Sequence, residues 1–533
     1  MSKITINRLD FSYDNPYKEI FNDLNLILDT EWKTVIFGKN GRGKTTFMKL
    51  LSGELVSSKG TISKECEINF FPKEIPDETK DVLEIVKNLI APFKNLEDTI
   101  AKALKDFQGE NIEIYSTAEE LYSKYGGYTV ENKIEKEMEM LNLDLKMLSR
   151  SWNTLSGGEK TKFQLLSLFL KNDSYPIIDE PTNHLDIEGR EQIARYLNGK
   201  SGFLCVSHDR NFLDTISDHV LAMEKNKVYI TKSSFLPYYQ EMKNKEMSAI
   251  KKNEELKKEI RFLQESAKEK INWSFNSEKQ KSSERNLSPM VDKGYVGAQA
   301  ARIMKRAVSI KNRKEKEIEE RKELLLDLSK EHSFKFLKEK NKADTILTVN
   351  NLNISYDEKT VIQNFNLTLK NGERICLKGP NGCGKSSIIN AIKKKIPYTG
   401  IIFIPNNIRV VYLEQEFEAT YLELTLKEYI RELGEDEAEF RKLLSAFGVY
   451  SDILNKKLKL FSEGEKKKIN LASTMLRESS LLVWDEPLNY IDMEMREKLE
   501  EMILKYKPTI LFIEHDKMFI ENIATKVFYL YKN

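Results

Sequence analysis

The chain has 533 residues, room for two or three domains, and its 40% hydrophobic and 10% aromatic content is ordinary for a globular protein. No apolar run approaches the ~20 residues of a membrane-spanning helix, the N-terminal "MSKITINRLDFSYD" lacks an export core, and Cys66, Cys205, Cys376 and Cys383 are scattered without metal-ligand spacing, which argues against a zinc cluster and for a reduced, cytoplasmic protein. The net charge is only +2, yet Lys268 to Lys316 carries 13 Lys or Arg against 5 Asp or Glu, a basic concentration that suits a polyanionic partner or a solvated helical face.

In chain order, "TVIF" predicts a strand, "GKNGRGKT" at 38–45 a Gly-rich turn, and "TFMKLLSG" a helix. This is the setting a G-x-x-x-x-G-K-[ST] phosphate loop needs. Its glycines let successive N–H groups curl round phosphates, and the helix start adds a favourable dipole. Then come "FFPKE", "LSGGEK" from Leu155, "YPIIDEP" ending at Pro181, "TNHLD" and "CVSHD".

Next follows a stretch of about 110 residues, 231–344, rich in charge. Ile250, Leu256, Ile260 and Leu263 form a thin apolar seam at helical spacing. Ile303, Ala307, Ile310, Ile318 and Leu325 form a second seam. The pattern predicts an antiparallel helical hairpin. At ~1.5 Å per residue, roughly 33 residues make an arm of about 50 Å. The Ser- and Asn-rich residues 273–293 read as a loop at its tip.

The first series then recurs. "RICLK" precedes "GPNGCGKS" at 379–386 and "SIINAIKK"; "YLEQE", "FSEGEK" from Phe461, "LLVWDEP", "LNYID" and "FIEHD" follow. Ser156 to Asp179 spans 23 residues, and so does Ser462 to Asp485. The chain therefore reads as a duplicated α/β unit with parallel sheets, whose "DEP" blocks end buried strands.

These blocks, in this order, resemble the ATP-binding cassette family over roughly 420 residues. The resemblance implies two tandem P-loop ATPase domains at 1–230 and 346–533, joined by the hairpin at 231–345. It implies ATP held by Gly38, Lys39, Asn40, Gly41, Arg42, Gly43, Lys44, Thr45 and Thr46, and in the second unit by Gly379, Pro380, Asn381, Gly382, Cys383, Gly384, Lys385, Ser386 and Ser387. Thr45 and Asp179, and Ser386, Gln415 and Asp485, are the implied Mg2+ ligands. Glu180 and Glu486 would polarise water, and His208 and His515, 28 and 29 residues further on, would sense the γ-phosphate. Tyr13 and Tyr356 would stack on adenine. Family members pack two cassettes head to tail, so Lys44 would face the signature Ser462, Glu463, Gly464 and Glu465, and Lys385 would face Ser156, Gly157, Gly158 and Glu159.

Two departures fall on the site built on Lys44. Lys73 stands where the family places Gln, and an ammonium has no lone pair for a metal. Glu463 stands where Gly is usual. Either this site hydrolyses ATP more slowly than the other, or Lys73 and Glu463 compensate each other.

Two cassettes joined by a basic hairpin resemble the F subfamily, most of all its Vga/Lsa-type resistance members. That implies a cytoplasmic monomer with no membrane partner. Such members act on the 70S ribosome, reaching 23S rRNA near the peptidyl-transferase centre and P-site tRNA through the exit-site region. They protect it from lincosamides, pleuromutilins, streptogramins A, and in some cases phenicols or oxazolidinones. Lys293, Arg302, Lys305, Arg306, Lys311 and Arg313 suit phosphate neutralisation. Trp273 and Phe275 suit base stacking or packing across the hairpin end. The alternative is a housekeeping translation factor of the same subfamily. Such factors typically have an extra arm in the first cassette; 75–140 reads here as an ordinary helical subdomain, with a small arm as the alternative.

Overall fold

The computed structural model describes residues 2–14, 17–39, 41–105, 108–183, 185–224, 227–284, 343–356, 359–414, 417, 419–449 and 454–531. It divides into Met1–Leu236 with His332–Asn533, and Pro237–Glu331.

The first unit holds the α/β fold twice. Its first half has strands β1 (Lys3–Asp14), β2 (Tyr17–Asp29), β3 (Lys33–Gly38), β4 (Lys59–Lys64), β5 (Glu67–Phe71), β6 (Ser174–Asp179), β7 (Phe203–Val206), β8 (His219–Met223) and β9 (Val228–Lys232). An antiparallel sheet runs β2-β1-β4, and a second sheet runs β5-β6-β7-β3-β8-β9, parallel except for β9. The second half repeats this with β10 (Thr345–Tyr356), β11 (Lys359–Lys370), β12 (Arg374–Lys378), β13 (Thr399–Phe403), β14 (Val410–Leu413), β15 (Leu481–Asp485), β16 (Ile510–Ile513) and β17 (Lys526–Tyr529). Its sheets are β11-β10-β13 and the all-parallel β14-β15-β16-β12-β17.

Burial on both faces explains the continuous apolar runs of β6 and β15. In each half the phosphate-loop helix, Lys44–Ser52 or Lys385–Ile392, packs between the two sheets. Phe47, Met48 and Leu51 meet Ile4, Leu9 and Ile177, and Ile388, Ile389 and Ile392 meet Ile346, Leu352 and Val483. The strand ends that carry chemistry are thus anchored to a closed core.

The halves differ between paired landmarks. Isolated bridges Asp81–Ser151 and Thr425–Lys457 mark the same place in each. Helices Val82–Ile90 and Leu426–Leu433 follow them. Then 39 residues precede Val130–Met140, where 3 precede Glu437–Ala446. The extra residues make a helical pair, Phe93–Lys105 and Glu110–Lys124. Phe93 packs edge-on against Tyr122 at 5.6 Å, and Lys87 ties Glu97 and Glu131 to the same base. Of the two readings of 75–140, the helical pair favours the small arm over an ordinary subdomain. A helical pair looks like ordinary helix in sequence, and only its lack of a counterpart shows it to be an insertion.

The second unit contains most of a continuous helix, Phe235–Glu284, 50 residues long and so about 75 Å. Of its apolar seam, Ile260 is buried and Ile250 and Leu256 are half-buried. The helix overturns the loop expected from Trp273: residues 273–284 are helical. They contain neither Gly nor Pro, and Ser or Asn costs a helix at most ~0.7 kcal/mol each. The expected returning helix lies outside the described residues.

Candidate nucleotide sites

Each phosphate loop leaves a parallel strand and enters a helix. Gly43 and Gly384 cap those helices at φ 93° and 95°, with no side-chain cap bond. A Cβ there would come within 2.4 Å of Ile20 or 2.7 Å of Ile362. Glycine is required by both conformation and space, and the helix N–H groups stay open to an anion. Lys44 Nζ donates to the Gly38 carbonyl at 2.6 Å, and Lys385 Nζ to those of Gly379 and Pro380 at 2.8 and 2.9 Å. Burial pulls the Lys44 ammonium below its ordinary pKa. Tyr13 and Tyr356, both well exposed, hydrogen-bond through their hydroxyls to Thr46 and Ser387 at 3.1 Å. Each ring therefore stands beside a phosphate-loop helix with a face open to solvent.

Asp179 and Asp485 end β6 and β15. The next residues, Glu180 and Glu486, have φ 51° and 47°. Such left-handed backbone costs a non-glycine residue ~1–3 kcal/mol and collects at functional sites. It is held by backbone bonds from Glu180 N–H to the Val206 carbonyl (2.9 Å) and from Glu486 N–H to the Ile513 carbonyl (3.1 Å). His208 Nε2 lies 3.5 Å from Glu180, and His515 Nε2 lies 3.7 Å from Glu486. Burial, with Asp179 alongside, pushes the Glu180 carboxyl up to about 8. Burial first, then the cations Arg496 and Lys44, holds His208 near 3. Burial, then Lys385 and Arg190, does the same to His515. Both imidazoles are neutral at pH 7.

Among the described residues, buried Glu180 Oε1, Asp485 Oδ1 and both His515 ring nitrogens make no hydrogen bond. Buried polar atoms are normally satisfied, so these donors and acceptors fit a triphosphate, a hard cation and a water. Burial pushes the Asp485 carboxyl above its ordinary pKa, opposed by the nearby Ser386 hydroxyl and Lys467.

Contacts missed by the motif reading bring the halves together. Asp186, from "TNHLD", accepts from the Asn381 N–H of the second phosphate loop at 2.8 Å. Its counterpart Asp492 lies close enough to Lys44 to favour the charged ammonium, and Lys468 holds it at 2.9 Å. Lys39 meets Glu494 at 3.5 Å. Arg190 and Arg496 tie these turns to Asp209 and Asp516 beside the histidines, at 3.0 Å in both halves. The available signal was the recurrence of "TNHLD" and "LNYID". One further bond lacks a twin. Buried Arg210 pairs with Glu500 and, at 3.6 Å, Glu497 of the other half. The equivalent Lys517 is exposed, and Ala194 stands where Glu500 would.

The signature residues Ser156 and Ser462 cap their helices in capping boxes with Glu159 and Glu465. Glu463 pairs with Lys466 at 2.8 Å. Lys73 is clasped through its backbone by Gln164, at 3.0 and 3.1 Å, and its nearest charges are Lys171 and Glu67. Lys73 and Glu463 thus each have their own local partners, which counts against the alternative that they compensate each other. Asn40, Gln415, Lys293, Arg302, Lys305, Arg306, Lys311 and Arg313 lie outside the described residues, as do the side chains of Trp273 and Phe275.

The ABC transporter family model matches residues 21–183 and 362–489. The putative ATP-binding protein YdiF of Bacillus subtilis is 30% identical over 547 residues, covering 99% of this chain and 80% of that protein. ABC transporter F family member 2 of Arabidopsis thaliana is 26% identical, covering 95% and 73%. The ribosome protection protein VmlR of Bacillus subtilis is 25% identical, covering 97% and 85%.

Proposed function

The chain belongs to the ATP-binding cassette family and is an ATPase of ABC-F type, and from that premise we propose that it binds the ribosome and protects it from antibiotics acting near the peptidyl-transferase centre. The observation that carries this reading is a 50-residue charged helix that lies, in sequence, between two sets of nucleotide residues. The likeness to VmlR supports it.

In this reading 1–230 and 346–533 are nucleotide-binding domains and 231–345 is the hairpin that enters the exit-site region of the ribosome in the cytoplasm. Lys44 and Lys385 grip the terminal phosphates, and Tyr13 and Tyr356 stack on adenine. Ser462 and Ser156 complete the cradles from the opposite half. Thr45 with Asp179, and Ser386 with Asp485 and Gln415, hold Mg2+, which neutralises phosphate charge when bound. Glu180 and Glu486 orient water, and the neutral histidines donate to the γ-phosphate. Two bound nucleotides hold the halves shut, and hydrolysis releases them. Lys293 and the arginines and lysines at 302–313 grip RNA phosphates.

Expression in a susceptible bacterium tests the reading. Growth is expected in lincosamides, pleuromutilins or streptogramins A at concentrations that stop the parent strain. A Glu180→Gln, Glu486→Gln chain is expected to pellet with 70S ribosomes only when ATP is present. The inserted pair Phe93–Lys105 and Glu110–Lys124 favours a second reading, a housekeeping factor for stalled or initiating ribosomes. Ribosome pelleting without any change in drug tolerance would select it.

A further inference from the structure

The residue before each switch histidine differs between the halves. In the first it is Ser207, whose hydroxyl hydrogen-bonds Thr182 at 2.9 Å and accepts from the Asp209 N–H at 3.2 Å. In the second it is Glu514, 2% exposed. One carboxylate oxygen of Glu514 accepts from the Leu488 N–H at 2.9 Å. The other accepts from the N–H groups of His515 and Asp516. Leu488 stands where Thr182 stands in the first half. A carboxylate bound by three backbone N–H groups is a stronger strap than a pair of neutral hydroxyls.

A buried anion needs a countercharge. Lys467, 6% exposed on the signature helix Glu463–Leu476, is one of the cations near it. Its Nζ reaches the Asp485 carbonyl at 3.4 Å, and the carboxylates around it are Glu514, Asp485 and Glu486. Arg190 and Arg496 face Glu514 from the two turns beyond. The first half has Thr161 at the position of Lys467.

We infer that Glu514, held by three backbone N–H groups, is a positioning residue for ATP hydrolysis at the site of Lys385 and Glu486. It straps the turn after Glu486 to the turn that carries His515, and so fixes those two side chains relative to each other. The first half lacks the strap, which makes the site of Lys385 the better organised of the two. This rests on the reading of Glu486 and His515 as the hydrolytic pair.

The test is steady-state ATP turnover of the full chain in two backgrounds. Glu180→Gln leaves only the strapped site, and Glu486→Gln leaves only the other. Adding Glu514→Gln is expected to lower kcat tenfold or more in the first background, with KM changed less than twofold, while kcat in the second stays within twofold. The triple change Glu514→Ser, Leu488→Thr, Lys467→Thr installs the first half's neutral arrangement without stranding a charge. It is expected to fold and to show the same site-selective loss. An unchanged kcat in the Glu180→Gln background would overturn the inference. Equal losses in both backgrounds would reduce Glu514 to a structural residue and overturn it too. Turnover surviving in the Glu180→Gln, Glu486→Gln chain would remove the site reading itself, and the inference with it.

Discussion

In the first half Glu180 lies buried beside Asp179, with its carboxyl pushed up to about 8. In the second half Glu486 shares its surroundings with a buried ammonium, Lys467, absent from the first. Backbone geometry at the two glutamates is nearly the same: φ 51° and 47°, each anchored to the next strand. Duplication has kept the loops and strand ends while the charges around them diverged. Geometry is imposed by the sheet and cannot drift in one copy without unfolding it. Surrounding charges can drift provided each buried one keeps a partner.

The largest expected effect comes from removing the glutamates one at a time. General-base catalysis contributes ~100- to 10,000-fold, so Glu486→Gln should lower ATP turnover at least tenfold. Glu180→Gln should leave more than half of it. The reverse order, measured by phosphate release, would break the comparison. Second is the one-sided bond. Arg210→Ala leaves the buried Glu500 with no cation among the described residues, held only by Asn522 at 3.0 Å, and should cost about 3 kcal/mol in chemical denaturation. The mirror change Lys517→Ala, at an exposed position, should stay within about 0.5 kcal/mol.

A smaller effect concerns acid. His208 and His515 bind protons more weakly in the fold (near 3) than in the unfolded chain (~6.5). Protons therefore favour the unfolded chain, and stability falls as pH drops below about 6.5 toward 3. Glu180, raised to about 8, works in the opposite direction between ~4.5 and 8. In a Glu180→Gln chain the melting temperature should thus fall from pH 7.5 to 5.5, and less so once both histidines are Gln. Smallest is Glu463→Gly. Lys466 already neutralises that carboxylate at 2.8 Å, so ATP turnover should change less than twofold.

The phosphate loops, the "DEP" strand ends and the switch histidines were all legible, because each is a short motif with a fixed local conformation. Gly43, Glu180 and His208 stand where their spacing put them. The roles of Asp186 and Asp492 are not legible in the sequence, because they lie toward the opposite half and no local pattern expresses them. Residues 273–284 are helical where Ser and Asn suggest a loop, because the stretch holds no Gly or Pro to end the helix.

By itself, the sequence determined the duplication, the sheet-bound phosphate loops and the identity of the acidic and histidine residues. These rest on local backbone requirements that a motif encodes directly. Only the tertiary structure decided which half each Asp serves, that Arg210 is paired where Lys517 is exposed, that Phe93–Lys105 and Glu110–Lys124 form an inserted helical pair, and that Glu514 meets three N–H groups. Those features depend on distances between residues far apart in the chain, which packing sets and spacing does not.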